Sequence, residues 1–169
     1  MRPASGGVPW SPWLAAVFGA GLFGWAAGLR VLDPREAGWV MRGDWQTHFL
    51  GWHLFRHEAW QWPPGLITTL LEPDGTALGF TDAIPLVAFA LRPVASWLPN
   101  PFQYLGLWLW LCFALQGCFG ALLVSTWTPR RPLQLLGGLL FVLMPTLPAR
   151  FAHPALCAHW LLLWALWLY

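Results

Sequence analysis

Charge is what this sequence of 169 residues has least of: 9% is Asp, Glu, Lys or Arg, against about 25% in an ordinary soluble domain. With 57% hydrophobic residues, it lacks the polar surface to cover itself in water, and several windows approach the ~20 apolar residues that cross a bilayer. An integral membrane protein is expected. There is no basic run either. The net charge of +2 is small and scattered, which excludes nucleic acid as a partner. Cysteine is scarce, with three residues at 112, 118 and 157 in apolar runs. None has CxxC spacing, so buried inert thiols are expected rather than a metal set or a disulfide. GxSxG, Walker, Rossmann and HExxH patterns are all missing, which leaves no support for soluble nucleotide chemistry or a zinc-protease helix. No small-residue cleavage site follows the first apolar run, so "MRPASGGVPWSPW" leads into an uncleaved helix.

Tryptophan, in contrast, is abundant at 15 residues. Its apolar ring and N–H donor suit a membrane interface. Hydropathy predicts spans at about 13–32, 104–127, 133–147 and 155–169. An external loop with interfacial helices is expected over 33–103. The fold class expected is all-α, a polytopic transmembrane helical bundle. The run "ALCAHWLLLWALWLY" reaches Tyr169 without a flanking charge, so residues 1–169 read as a single membrane domain at the N-terminal end of a longer protein. Segment 83–98, broken by Arg92-Pro93, reads as a second interfacial or re-entrant piece. Orientation is contested. Arg130 and Arg131 favour a cytoplasmic 128–132 connector and a cytoplasmic N-terminus, whereas Arg30, Arg35 and Arg42 pull the first loop inward. Long loops translocate with less regard to charge, which favours the first arrangement.

The polar residues concentrate in "GDWQTHFLGWHLFRHEAWQWPPG", residues 43–65. Over about 44–60 the pattern is helical. Trp45, Phe49, Trp52, Ala59 and Trp60 share a side, Asp44, His48 and Glu58 line its edge, and Arg56 must snorkel from within the stripe. "QWPPG" stops this helix, and "EPDG" (72–75) reads as a type I turn.

Asp44 is the leading catalytic candidate. A carboxylate in a partly dry setting can act as a general base or bind a metal, while Gly43-Asp44 is equally an ordinary helix start. His48, four residues on, would share its face, and the two are the metal candidates. His53 and His57 form a second such pair, better suited to headgroup contacts. Glu58 reads as a solvated or capping charge, and Asp82 as a cap for a helix with Pro85 in its first turn. A second polar island, "PARFAHPALCAHW" (148–160), supplies Arg150, His153 and His159. These suit phosphate recognition, although Arg150 and His153 serve equally as interface anchors.

The stretches "GDWQTHFLGWHLFRHEAW", "EPDGTALGFTDAIPL", "FQYLGLWLWLCFALQG" and "PARFAHPALCAHWLLL" resemble a bacterial multi-pass membrane family of uncharacterised function. That family in turn resembles the GT-C glycosyltransferases, which use lipid-linked sugars. The resemblance runs from about residue 30 onwards. It implies the N-terminal part of a GT-C-like fold in the bacterial cytoplasmic (inner) membrane, with the N-terminus cytoplasmic. It also implies a polyprenyl-phosphate sugar donor and an acid early in the first external loop, the place Asp44 occupies. That acid would act as base on an extracytoplasmic acceptor or help hold a divalent metal ion. Arg150, His153 and His159, with His48, would then meet the substrate. Some GT-C groups carry two adjacent acids there, whereas Asp44 is followed by Trp45. The alternative expectation is a non-catalytic membrane protein, either a transporter or a lipid-binding scaffold. In that case the aromatics are an anchor belt.

Overall fold

The computed structural model describes residues 10–169. The first helix, α1 (Trp10–Ala27), carries Pro12 in its opening turn, where the missing N–H has no partner to lose. It stops at Gly28, whose φ of +79° suits a residue without Cβ and whose N–H bonds the Gly24 carbonyl at 3.0 Å. A 3₁₀ turn follows at Leu29–Leu32. Next come α2 (Trp45–Phe55), two-residue antiparallel strands β1 (Leu66–Ile67) and β2 (Thr76–Ala77), and α3 (Pro85–Leu91). The C-terminal half holds α4 (Leu105–Ser125), α5 (Arg131–Val142) and α6 (Trp160–Leu168).

The chain divides into two compact units. Among the described residues, one comprises 10–28, Trp108–Arg150 and Cys157–Tyr169. Within it α1 packs on α5, tied by the buried Ser11 hydroxyl, which donates to Gln134 Oε1 at 2.6 Å. The Gln134 amide in turn donates to the Thr128 carbonyl at 2.9 Å. Gly117 on α4 brings the backbones together, since a Cβ there would overlap the Ala15 carbonyl. The other unit comprises Leu29–Leu107 and Phe151–Leu156. It contains α2, the strand pair and α3, and its buried side chains include Val40, Trp52, Ile67, Leu78 and Leu105.

This architecture corrects the expected polytopic bundle. Among the described residues only α4 is long and apolar enough to cross a membrane, at 21 residues. α5 has 12 residues and α6 has 9, about 18 and 14 Å of helix against a hydrocarbon core of about 30 Å. α1 reaches 18 residues, but tryptophan, glycine, Ser11 and Pro12 dilute its apolar content. The sequence signal misled because the apolar runs outlast the helices: Leu143–Leu147 is apolar but leaves the helix before Pro145 and Pro148. Within 83–98, α3 gives way at Arg92-Pro93 to a 3₁₀ turn, Arg92–Trp97.

The expected 44–60 helix also ends early, at Phe55. Arg56 does not snorkel. It is 5% exposed, and its guanidinium donates to the carbonyls of Ala95, Leu98 and Pro99 at 2.7–3.0 Å. The Arg92 guanidinium donates to the carbonyls of Arg56 and Glu58, where the helix would have continued. The stripe therefore loses Ala59 and Trp60. "EPDG" lies in a wider turn closed by the Gly75 N–H on the Leu71 carbonyl at 3.0 Å.

Candidate functional site: the His48 cluster

The buried residues of α2 are His48, Phe49, Gly51, Trp52 and Phe55, of which His48, Gly51, Trp52 and Phe55 keep the three-four-seven spacing of one helical side. Trp52 anchors it, with its indole N–H on the Phe102 carbonyl at 3.1 Å. Gly51 decides what can approach. A Cβ at that position would overlap the Thr81 side chain, so only glycine lets the 81–84 turn lie directly on the helix, one turn from His48.

That turn is strained. Asp82 has φ +54° and Ile84 φ +50°, and a β-branched residue there is an outlier of order 1–3 kcal/mol. Contacts around it hold the conformation: the Thr81 hydroxyl donates to the Leu78 carbonyl at 2.7 Å, and the buried Tyr104 hydroxyl donates to the Ala83 carbonyl. Burial also pushes the Tyr104 phenol pKa far up, which keeps it a donor. Ile84, not Asp82, stands at the N-cap of α3. The capping role expected for Asp82 is thereby corrected, and its carboxylate is left exposed.

His48 is 1% exposed. Its Nδ1 lies 2.9 Å from the Asp82 backbone carbonyl oxygen and its Nε2 3.1 Å from that of Ala152. The His153 ring stands edge-on at 6.5 Å. One donor atom each from His48, Asp82 and His153 lie within 4.8 Å of one another. Two imidazoles and a carboxylate at that spacing are a set able to share one cation. Half-buried Trp45 lies 6.5 Å from His48, and Trp39 packs on Trp45 at 5.0 Å.

Of the expected site residues, His48 and His153 meet. Asp44 precedes α2 with its side chain exposed and making no capping bond, and both ring nitrogens of His48 face carbonyls instead of Asp44. Arg150, exposed at the end of a 3₁₀ turn, and His159, at the N-cap of α6, belong to the other compact unit. Sequence reasoning missed Asp82 as a partner. It lies 34 residues from His48, and only its place before an apolar helix drew notice.

The remaining polar groups serve structure. Burial, then the nearby His57 and Arg56 charges, pull the His53 pKa down. Its ring stacks on Phe49 at 5.6 Å, and its Nδ1 is buried without a hydrogen bond. Burial alone would raise the Glu58 pKa. Hydrogen bonds from the Thr69 N–H and hydroxyl and the Thr68 hydroxyl outweigh that and hold it below the usual carboxylate range. A cavity of about 520 Å³ is lined by Arg56, His57, Glu58, Trp60 and Arg92; the terminal guanidinium nitrogens of both arginines donate to backbone carbonyls, while each Nε is buried without a hydrogen bond.

No curated protein and no solved structure matches the chain. A family model described as a domain of unknown function, DUF6311, matches residues 16–169, and the chain belongs to that family.

Proposed function

We propose that this chain is a membrane-surface glycosyltransferase that moves a sugar from a polyprenyl-phosphate carrier to an acceptor hydroxyl. The observation that carries the reading is Asp44: an exposed carboxylate without a capping bond, four residues before the His48 cluster. In this scheme Asp44 takes the acceptor proton as the acceptor oxygen attacks the anomeric carbon. The bond from that carbon to the phosphate oxygen breaks, and polyprenyl phosphate leaves. His153, exposed beside His48, meets the developing phosphate charge. Trp45 and Trp39 offer a face on which a sugar ring can stack. Exposed Trp60, Trp62, Phe80 and Trp97 in the same unit suit a lipid boundary. Together with α4 they support a bacterial inner-membrane location.

The test is release of polyprenyl phosphate from a panel of polyprenyl-phosphate sugars by the purified chain in detergent. Asp44→Asn should slow turnover by about 10²–10⁴-fold, the range for a lost general base, with little change in KM. Unchanged turnover in that variant would remove Asp44 from the mechanism. A second reading, a non-catalytic lipid-binding scaffold, draws on the carbonyls facing both His48 nitrogens, an arrangement that also suits a purely structural tie. Tight binding of polyprenyl phosphates without turnover would favour it.

A further inference from the structure

We propose that His48, Asp82 and His153 bind one divalent first-row transition ion, Zn²⁺ being the best fit. This inference rests on the cluster's own geometry and stands whether or not the chain transfers sugars.

The first argument is proton counting at His48. A neutral imidazole carries a single N–H, yet both ring nitrogens face backbone carbonyl oxygens, at 2.9 and 3.1 Å. One of those lone-pair contacts is unfavourable unless a cation sits with it. A bound metal resolves the conflict. One nitrogen ligates once the carbonyl facing it turns aside, and the other donates its proton to its own carbonyl, the outer-shell bond that fixes tautomer and ring orientation in metal sites. The ring is 1% exposed, so this ligand is positioned before any ion arrives.

The second argument is reach. Around a tetrahedral ion with ~2.0–2.1 Å bonds, donor atoms stand about 3.4 Å apart, and here all three lie within 4.8 Å. The adjustment falls to the exposed side chains of Asp82 and His153 and to the carbonyl facing the ligating nitrogen of the buried His48 ring. Donor chemistry then selects the ion. Two imidazoles and one carboxylate suit zinc and its first-row neighbours. Magnesium and calcium prefer oxygen ligands throughout. Three protein ligands with two on the exposed side leave a coordination position open to water or an anionic oxygen, the arrangement of a catalytic rather than a closed structural site.

The experiment uses the full chain in detergent, stripped with a chelator and titrated with Zn²⁺ by calorimetry, with Co²⁺ absorption as a second readout. Wild type should bind one ion per chain. Asp82→Asn and His153→Ala, both at exposed positions, should each weaken binding at least tenfold while the metal-free melting temperature holds. His57→Ala should change nothing. Three results would each overturn the proposal. The first is binding that neither Asp82→Asn nor His153→Ala weakens. The second is loss of binding in His57→Ala. The third is a wild-type chain that takes up no zinc.

Discussion

His48 and Asp82, 34 residues apart in the chain, meet with the His48 Nδ1 2.9 Å from the Asp82 carbonyl oxygen. One contact thus joins the buried face of α2 to the strained turn before α3. It also brings the Asp82 carboxylate into the same small volume as His153.

That meeting depends on Gly51. Alanine there would overlap Thr81, and overpacking costs about 1–3 kcal/mol, while helix propensity returns up to about 1 kcal/mol. The overlap should win, with Gly51→Ala losing about 1 kcal/mol of stability and weakening zinc binding. Gly21 on α1 meets nothing within 4 Å, so Gly21→Ala should be neutral or stabilising. Denaturant titrations of both variants in detergent make the comparison. Equal responses would refute the close approach of the 81–84 turn to α2.

Arg56 offers a larger effect. Its guanidinium satisfies the carbonyls of Ala95, Leu98 and Pro99, and an unpartnered buried group costs about 1–3 kcal/mol. Arg56→Met keeps the apolar stem but removes every donor, and should lower stability by about 3 kcal/mol. Arg56→Lys, a point donor without the fork, should fall between. A loss below about 0.5 kcal/mol for the Met variant, the scale of an ordinary surface substitution, would mean that the side chain is solvated as an interfacial stripe requires.

How much of this was legible in the sequence differs by level. The apolar runs marked where helices form. α4 at Leu105–Ser125 lies inside the expected 104–127. Helix ends were not legible, because an apolar run does not say where backbone pairing stops. α2 ends at Phe55, where the Arg92 guanidinium takes up the carbonyls of Arg56 and Glu58 while Arg56 itself donates to the 95–99 segment, a tertiary choice over local periodicity. The site was half legible. His48 and His153 each stood out as polar residues in an apolar chain. Their convergence on Asp82 was hidden, because it depends on Gly51 admitting a turn 30 residues further along.

His53 predicts a pH dependence. Burial, then His57 and Arg56, hold its folded pKa below 6.5. Between the two pKa values the unfolded chain therefore binds more protons than the folded one. Stability should be full above about pH 6.5 and fall as pH drops toward the lowered folded value. Melting temperatures at pH 8 and pH 5.5 should differ more for wild type than for His53→Gln. Identical pH responses would show that His53 titrates freely in the folded chain.

The proposed membrane location can be read from accessibility. Asp74 is exposed in the β1–β2 turn. With the three native cysteines replaced, Asp74→Cys in intact cells should react with a membrane-impermeant thiol reagent. Protection until lysis would put the His48 cluster on the cytoplasmic side and end the proposal of an extracytoplasmic acceptor.

The convergence of His48, Asp82 and His153 on one ion is tested most directly by X-ray absorption at the zinc edge, on the full chain loaded with one equivalent. The account predicts two imidazole nitrogens and one carboxylate oxygen at about 2.0–2.2 Å, with one imidazole signature lost in His153→Ala. A zinc shell without imidazole, or one unchanged in that variant, would contradict it.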